Sequence, residues 1–172
     1  MTGRLEIDVI VDLPAWLEAV PTAEELCRRS AVAAITASGA VRTAAEASVV
    51  LSNDARIRAL NAAYRGKDEA TNVLAFPATD VVERGAAGTV GPPLTIGDVV
   101  VAFETVCAEA TLEGKNIKDH LSHLVVHGML HLLGYDHQTE DEAEKMEGIE
   151  VAVLASLGVA DPYSSVASCD AK

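Results

Sequence analysis

The sequence predicts an α+β fold, a single domain in which a mixed sheet of about four strands packs with several helices. Three observations lead there. Segments at residues 5–12, 47–51, 71–76 and 94–102 carry strand patterns. Longer stretches between them carry helical spacing and helix-start residues. The chain has 172 residues, the length of one domain, and no internal repeat divides it.

The elements follow in order. Leu5, Ile7, Val9 and Val11 alternate with polar partners, as in a half-buried strand. Thr22 and Glu25 have capping-box spacing and open a helix to about Ser38. Residues 47–51 form a short apolar strand. Asn53 or Asp54 then caps a helix with Ile57, Leu60 and Tyr64 on one side. Residues 71–76 form the next strand, stopped by Pro77. Residues 79–93, with Gly85, Gly88, Gly91, Pro92 and Pro93, read as a mobile loop with a weak hairpin arm. The run ending in Val99, Val100 and Val101 is the most strand-like. A helix follows to about Glu113, where Gly114 stops it. Residues 117–133 form a long, apolar central helix carrying a row of histidines. Thr139 and Glu142 supply a second capping box for a last helix, which runs to about Leu157 before Gly158. The domain is expected to span residues 1–163, with 164–172 a flexible tail.

Composition narrows the function. Thirteen basic residues face 26 acidic ones, a net charge of −13, which argues against a general electrostatic binder of nucleic acid and against anionic membranes. A local basic groove, or a partner that supplies cations, remains compatible with that charge. Aromatic residues are 3% of the chain, too few for a surface that stacks successive bases. Cys27, Cys107 and Cys169 are odd in number and far apart, so neither a disulfide framework nor a Cys-x-x-Cys metal pair is expected. Charges interrupt the N-terminal segment, unlike a signal peptide, and no run approaches eighteen apolar residues; the cytoplasm is the expected location.

The informative segment is His127-Gly128-Met129-Leu130-His131-Leu132-Leu133-Gly134-Tyr135-Asp136-His137. His127 and His131 are four apart on a helix, so their rings share one face a turn apart and can share one metal. Gly134 can take the left-handed conformation that ends the helix, and the returning chain brings His137 towards the pair. Three neutral imidazoles leave a fourth tetrahedral corner for water, the pattern of a catalytic zinc site. His123 extends the stripe by a turn and is read as support or packing. His120, further out, is read as surface. The three-histidine spacing matches the metzincin proteases, which carry a Glu directly after the first His as general base. Gly128 stands there and takes no proton, so a zinc peptidase is the lesser reading. Asp136, beside His137, is read as orienting a ligand imidazole, with capping of the turn as the alternative. The acidic run Glu140, Asp141, Glu142, Glu144, Glu147 and Glu150 is read as mostly solvated surface.

Residues 54–69 hold Arg56, Arg58, Arg65 and Lys67 among Asp54, Asp68 and Glu69, the one stretch where this acidic chain is not negative. An Arg near the metal could clamp a phosphate through two parallel hydrogen bonds. A surface helix end with ordinary ion pairs, Arg65 with Asp68, is the competing account.

The histidine segment resembles the signature of the YbeY family, bacterial metal-dependent endoribonucleases of ribosomal RNA maturation. Leu60-Asn61, Tyr64-Arg65-Gly66-Lys67-Asp68 and Thr71-Asn72-Val73-Leu74-Ala75-Phe76-Pro77 resemble its second block, and Ile96-Gly97-Asp98-Val99-Val100 a third. Met146-Glu147 and Asp161-Pro162-Tyr163 resemble its C-terminal end, so the likeness spans about residues 50–163. Ala70 and Ala75 depart from the Pro and Ser common there. The resemblance implies a single-strand-directed endoribonuclease of small-subunit (16S) ribosomal RNA 3′-end maturation and ribosome quality control. It implies one zinc per chain at His127, His131 and His137, and a catalytic role for Arg65; with RNA as the implied substrate, Arg56, Arg58 and Lys67 are candidate RNA contacts. It also implies partners on the small ribosomal subunit, among them a small-subunit protein and an assembly GTPase. The rival to any enzyme is a non-catalytic assembly factor with a structural zinc.

Overall fold

The computed structural model describes residues 3–85 and 91–163. The expected tail at 164–172 and the middle of the expected 79–93 loop lie outside the described residues.

Four strands form one sheet: β1 (Leu5–Val11), β2 (Ala45–Ser52), β3 (Val73–Pro77) and β4 (Leu94–Ala102), in the order β1-β2-β4-β3. β1 and β2 are parallel, as are β2 and β4, while β3 runs antiparallel to β4 at the edge. The mixed α+β architecture therefore agrees with the sequence reading. Seven helices are described: α1 (Ala15–Ala19), α2 (Ala23–Ser38), α3 (Asp54–Arg65), α4 (Thr79–Arg84), α5 (Phe103–Glu113), α6 (Ile117–Leu132) and α7 (Glu140–Ser156).

Residues alternate between the two faces of a strand, and β4 uses both faces. Val99 and Val101 join the main core with Leu121, Val125, Met129 and Leu130 of α6. Val100 and Ala102 face a smaller cluster with Ile57 of α3 and Leu74 of β3. Helix α6 is buried on most of its surface because the sheet, α2, α5 and α7 all pack around it. His127, Gly128 and His131 of α6 reach a cleft beside the edge strand β3.

Several expectations need correction. Helix α1 was not foreseen; Trp16 anchors it, fully buried, with its indole N–H donating to Ser52 O at 2.9 Å. The Thr22–Glu25 capping box does not form, because Thr22 lacks the extended backbone that turns a hydroxyl onto the helix N–H groups. Its carbonyl still accepts from Leu26 N–H. The segment expected to be a loop begins with α4, where Asp80 accepts from Thr95 N–H at 2.8 Å and pairs with Arg84 at 3.1 Å. On the side of α3 that carries Ile57, Leu60 and Tyr64, Ile57 is fully buried, whereas Tyr64 is 72% exposed, edge-on to Phe76 with centroids 5.5 Å apart. The caps at Asn53 and Thr139 form as read, the latter as a full capping box.

Candidate active site

The site is assembled where α6 ends. Gly134, at φ 100°, lets the chain reverse. The Tyr135 N–H donates back to Leu130 O and the Gly134 N–H to His131 O, closing the last turn. The reversal carries His137 over the end of the helix.

The ligand-capable nitrogens of His127, His131 and His137 all lie within 4.8 Å of one another. Nε2 of His127 is 3.1 Å from Nε2 of His131. His137 stacks on His127 with centroids 5.6 Å apart and lies edge-on to His131 at 5.1 Å.

The far side of His127 is fixed by Glu150 of α7. Glu150 is fully buried, and its Oε2 lies 2.6 Å from His127 Nδ1. A carboxylate only accepts, so His127 donates through Nδ1 and keeps an Nε2 lone pair for a cation. Glu150 Oε1 accepts from His123 Nε2 at 3.0 Å and from the Tyr163 hydroxyl in a short hydrogen bond. Burial pushes the Glu150 carboxyl up, yet the hydrogen bonds from His123, His127 and Tyr163 outweigh it and hold the group down at about 2. The Tyr163 hydroxyl is pushed up, by burial first and then by Glu150.

His123, His127 and Glu150 also lie within reach of one cation. Their contacts are those of a carboxylate gathering donors, and they use the other nitrogen of His127. His131 is held below its ordinary value by burial first, then by the neighbouring His127 and His137. It is thus neutral near pH 7, the form that binds metal. With its Nδ1 donating to Glu150, His127 turns an Nε2 lone pair towards His131 Nε2 at 3.1 Å, where it accepts a proton from that ring or, with His131 turned to its other tautomer, shares a cation with it. The three-imidazole donor set fits a metal ion on that ground.

The cleft at the centre is lined by Arg65, Asn72, Val73, Ala75, Pro77, His127, Gly128, His131, Asp136, His137 and Gln138. Arg65 is exposed and makes no ion pair among the described residues. Asp68, its expected competitor partner, is taken by Arg58 at 2.7 Å. Arg56 pairs with Asp12 at 3.1 Å, and Lys67 is exposed on the turn after α3.

Three readings are revised. His120 is not on the surface: it is 5% exposed and bonds Glu109 at 2.8 Å. Glu150 is not solvated. Asp136 accepts from the His137 backbone N–H at 2.8 Å, which caps the turn, and the imidazole-orienting role falls to Glu150. A signal for Glu150 was available: it stands four residues after Met146 and three and four before Val153 and Leu154, between the apolar residues that α7 buries.

Gly128 has a structural reason as well as a chemical one. A Cβ there would lie 2.8 Å from Val99 Cγ1, so α6 can press onto β4 only where that side chain is absent. A glutamate in the position of the metzincin base would have to displace Val99.

Comparison with known proteins decides the family. The profile described as Endoribonuclease YbeY matches residues 18–158. The chain belongs to the YbeY family. A relative named Endoribonuclease YbeY in Paramagnetospirillum magneticum is 50% identical over 163 residues, covering 95% of this chain and 98% of its own. Another of that name in Azorhizobium caulinodans is 50% identical over 161 residues, covering 93% and 97%. The solution structure of TM1509 from Thermotoga maritima has the same fold, with a TM-score of 0.53 at 23% identity, covering 92% of this chain and 99% of its own. The histidine segment, residues 127–137, lies within the span that the YbeY profile matches. No helix among the described residues is long and apolar enough to cross a membrane.

Proposed function

We propose that this chain is a zinc-dependent endoribonuclease that cuts single-stranded RNA, its target being the 3′ end of small-subunit (16S) ribosomal RNA. The observation that carries the reading is the convergence of His127, His131 and His137 in one cleft with Arg65, with no general base at position 128. The relatives' printed name, Endoribonuclease YbeY, supports the reaction class.

His127, His131 and His137 would hold the zinc, which supplies a Lewis acid and lowers the pKa of a water towards about 7 when bound. The protein's own groups do the rest. Glu150 keeps His127 in one tautomer and one orientation. Asp136 caps the turn that carries His137, holding its main chain beside the other two histidines. Arg65, with no ion pair among the described residues, offers a planar fork to the non-bridging phosphate oxygens and opposes the charge that grows on them. Arg56, Arg58 and Lys67 lie on α3 and the turn beyond it and extend the cationic path for the strand, although Arg56 and Arg58 spend part of their charge on Asp12 and Asp68.

A chain of net charge −13 is poorly drawn to RNA by itself. Delivery by protein partners, a small-subunit ribosomal protein and an assembly GTPase, would answer that difficulty, and ribosome quality control in the cytoplasm is the proposed setting. These assignments rest on the family likeness and the charge.

The test is metal-loaded protein on end-labelled single-stranded RNA, with His131→Ala purified alongside. Internal cuts by the wild type and none by His131→Ala are expected. Equal cutting by both would expose a contaminant and contradict the assignment. Absence of cutting by the loaded wild type would leave a non-catalytic assembly factor.

A further inference from the structure

Asn72 stands one residue before β3 and lines the cleft together with Arg65 and the three histidines. Its main chain is fixed, because Asn72 O accepts from Ala102 N–H at 2.9 Å. Its side chain is fixed too. Nδ2 donates to both carboxylate oxygens of Glu109 on α5, at 3.0 and 3.3 Å. Glu109 is gripped in turn by the buried His120 of α6, whose Nε2 lies 2.8 Å from Glu109 Oε1.

The chemistry of the partner sets the amide's orientation. A carboxylate cannot donate, so the NH₂ end must face Glu109 and the carbonyl end must face away. Among the described residues, Oδ1 of Asn72 accepts no hydrogen bond, and it is not among the buried polar atoms left without a partner. A tie between β3 and α5 would use only the NH₂ end. What remains is a rigid, solvent-reached acceptor on a residue that lines the cleft.

Phosphate oxygens only accept, so they match Arg65 and not Asn72. The donors on a single strand are the ribose 2′-hydroxyl and the amino and imino groups of the bases. Base donors change with sequence, whereas a 2′-hydroxyl is present on every ribonucleotide. We propose that Asn72 Oδ1 accepts the 2′-hydroxyl of a nucleotide seated in the cleft, and that the His120–Glu109–Asn72 chain is how this protein distinguishes RNA from DNA. The inference rests on the RNA-cleaving reading above. Asn72 is a positioning and specificity residue and takes no part in proton transfer.

The test is binding, with full-length metal-loaded protein and three labelled oligonucleotides of one sequence, carrying 2′-OH, 2′-F or 2′-H throughout. Fluorine preserves the ribose pucker and cannot donate. Anisotropy is read by stopped flow, before turnover. The wild type should favour 2′-OH over 2′-F by about three- to tenfold, the range of one neutral hydrogen bond. Asn72→Ala should bind both equally, near the wild-type 2′-F affinity. Glu109→Ala leaves the amide in place but free to turn, and should lose at least half of the preference; it decides the matter if Asn72→Ala does not melt like the wild type. Retention of the full 2′-OH preference in either folded variant overturns the inference, as does a change in base preference with the sugar preference intact. A wild type that binds all three equally also overturns it and leaves the nuclease reading standing. Failure to bind any of them removes both.

Discussion

Glu150 Oε2 lies 2.6 Å from His127 Nδ1, joining two residues 23 positions apart on different helices. The contact makes the buried carboxylate part of the ligand's own chemistry. Glu150→Gln keeps the volume and loses the charge. It should lower zinc affinity by about ten- to a hundredfold, the usual cost of removing an outer partner of a ligating imidazole. Competition with a chromophoric chelator measures it. Affinity within twofold of the wild type would show that Glu150 serves folding only.

Gly128 faces Val99 with no room for a side chain. Overpacking a core costs about 1–3 kcal/mol, and the better helix propensity of alanine returns up to about 1 kcal/mol. Gly128→Ala should therefore lose on the order of 1 kcal/mol in urea unfolding. In a Val99→Ala background, where the space is opened, the same change should be neutral or stabilising. Equal losses in both backgrounds would refute the packing account.

Arg65→Ala should fold, keep its zinc and lose cleavage. Truncating a charge-assisted contact to a transition state costs about 2–4 kcal/mol, roughly thirty- to a thousandfold in rate. Arg65→Lys should recover only part of it, since an ammonium keeps the charge without the fork. Melting temperature, zinc content and rate are read on one preparation. Unchanged rate with lowered melting temperature would make Arg65 a structural residue.

Cys27 predicts an alkaline limit. Burial pushes its thiol from 9.0 up to about 12, with Arg28 opposing and Glu24 adding. The folded pKa is thus above the unfolded one. The stability of keeping the thiol neutral is whole below pH 9 and is lost as pH rises towards 12, by up to about 1.4 kcal/mol per pH unit. Urea unfolding at pH 8.0 to 10.5 should show a flatter decline for Cys27→Ala than for the wild type. Parallel curves would mean that Cys27 already titrates normally in the folded protein.

Much of this could be read in the sequence, where local chemistry decides. The alternation at Leu5–Val11, the valine run of β4, and the caps at Asn53 and Thr139 act over a few residues, and each formed as read. The approach of the three histidines is also local, set by helical spacing and one turn at Gly134. What escaped depends on distant partners. Glu150 and His120 were misplaced because exposure depends on which helices pack over them. Whether Asp68 pairs with Arg65, the competing account, or with Arg58, as it does, is a choice between neighbours that spacing alone does not make. Helix α1 escaped because a five-residue helix is held by one buried Trp16, not by its own periodicity.

The central claim is that three imidazoles converge on one zinc. Elemental analysis of the wild type, His123→Ala, His127→Ala and His137→Ala, purified in parallel, tests it most directly. One zinc per chain is expected in the wild type and in His123→Ala, and a loss of zinc in the other two. Full occupancy in His127→Ala or His137→Ala would contradict it.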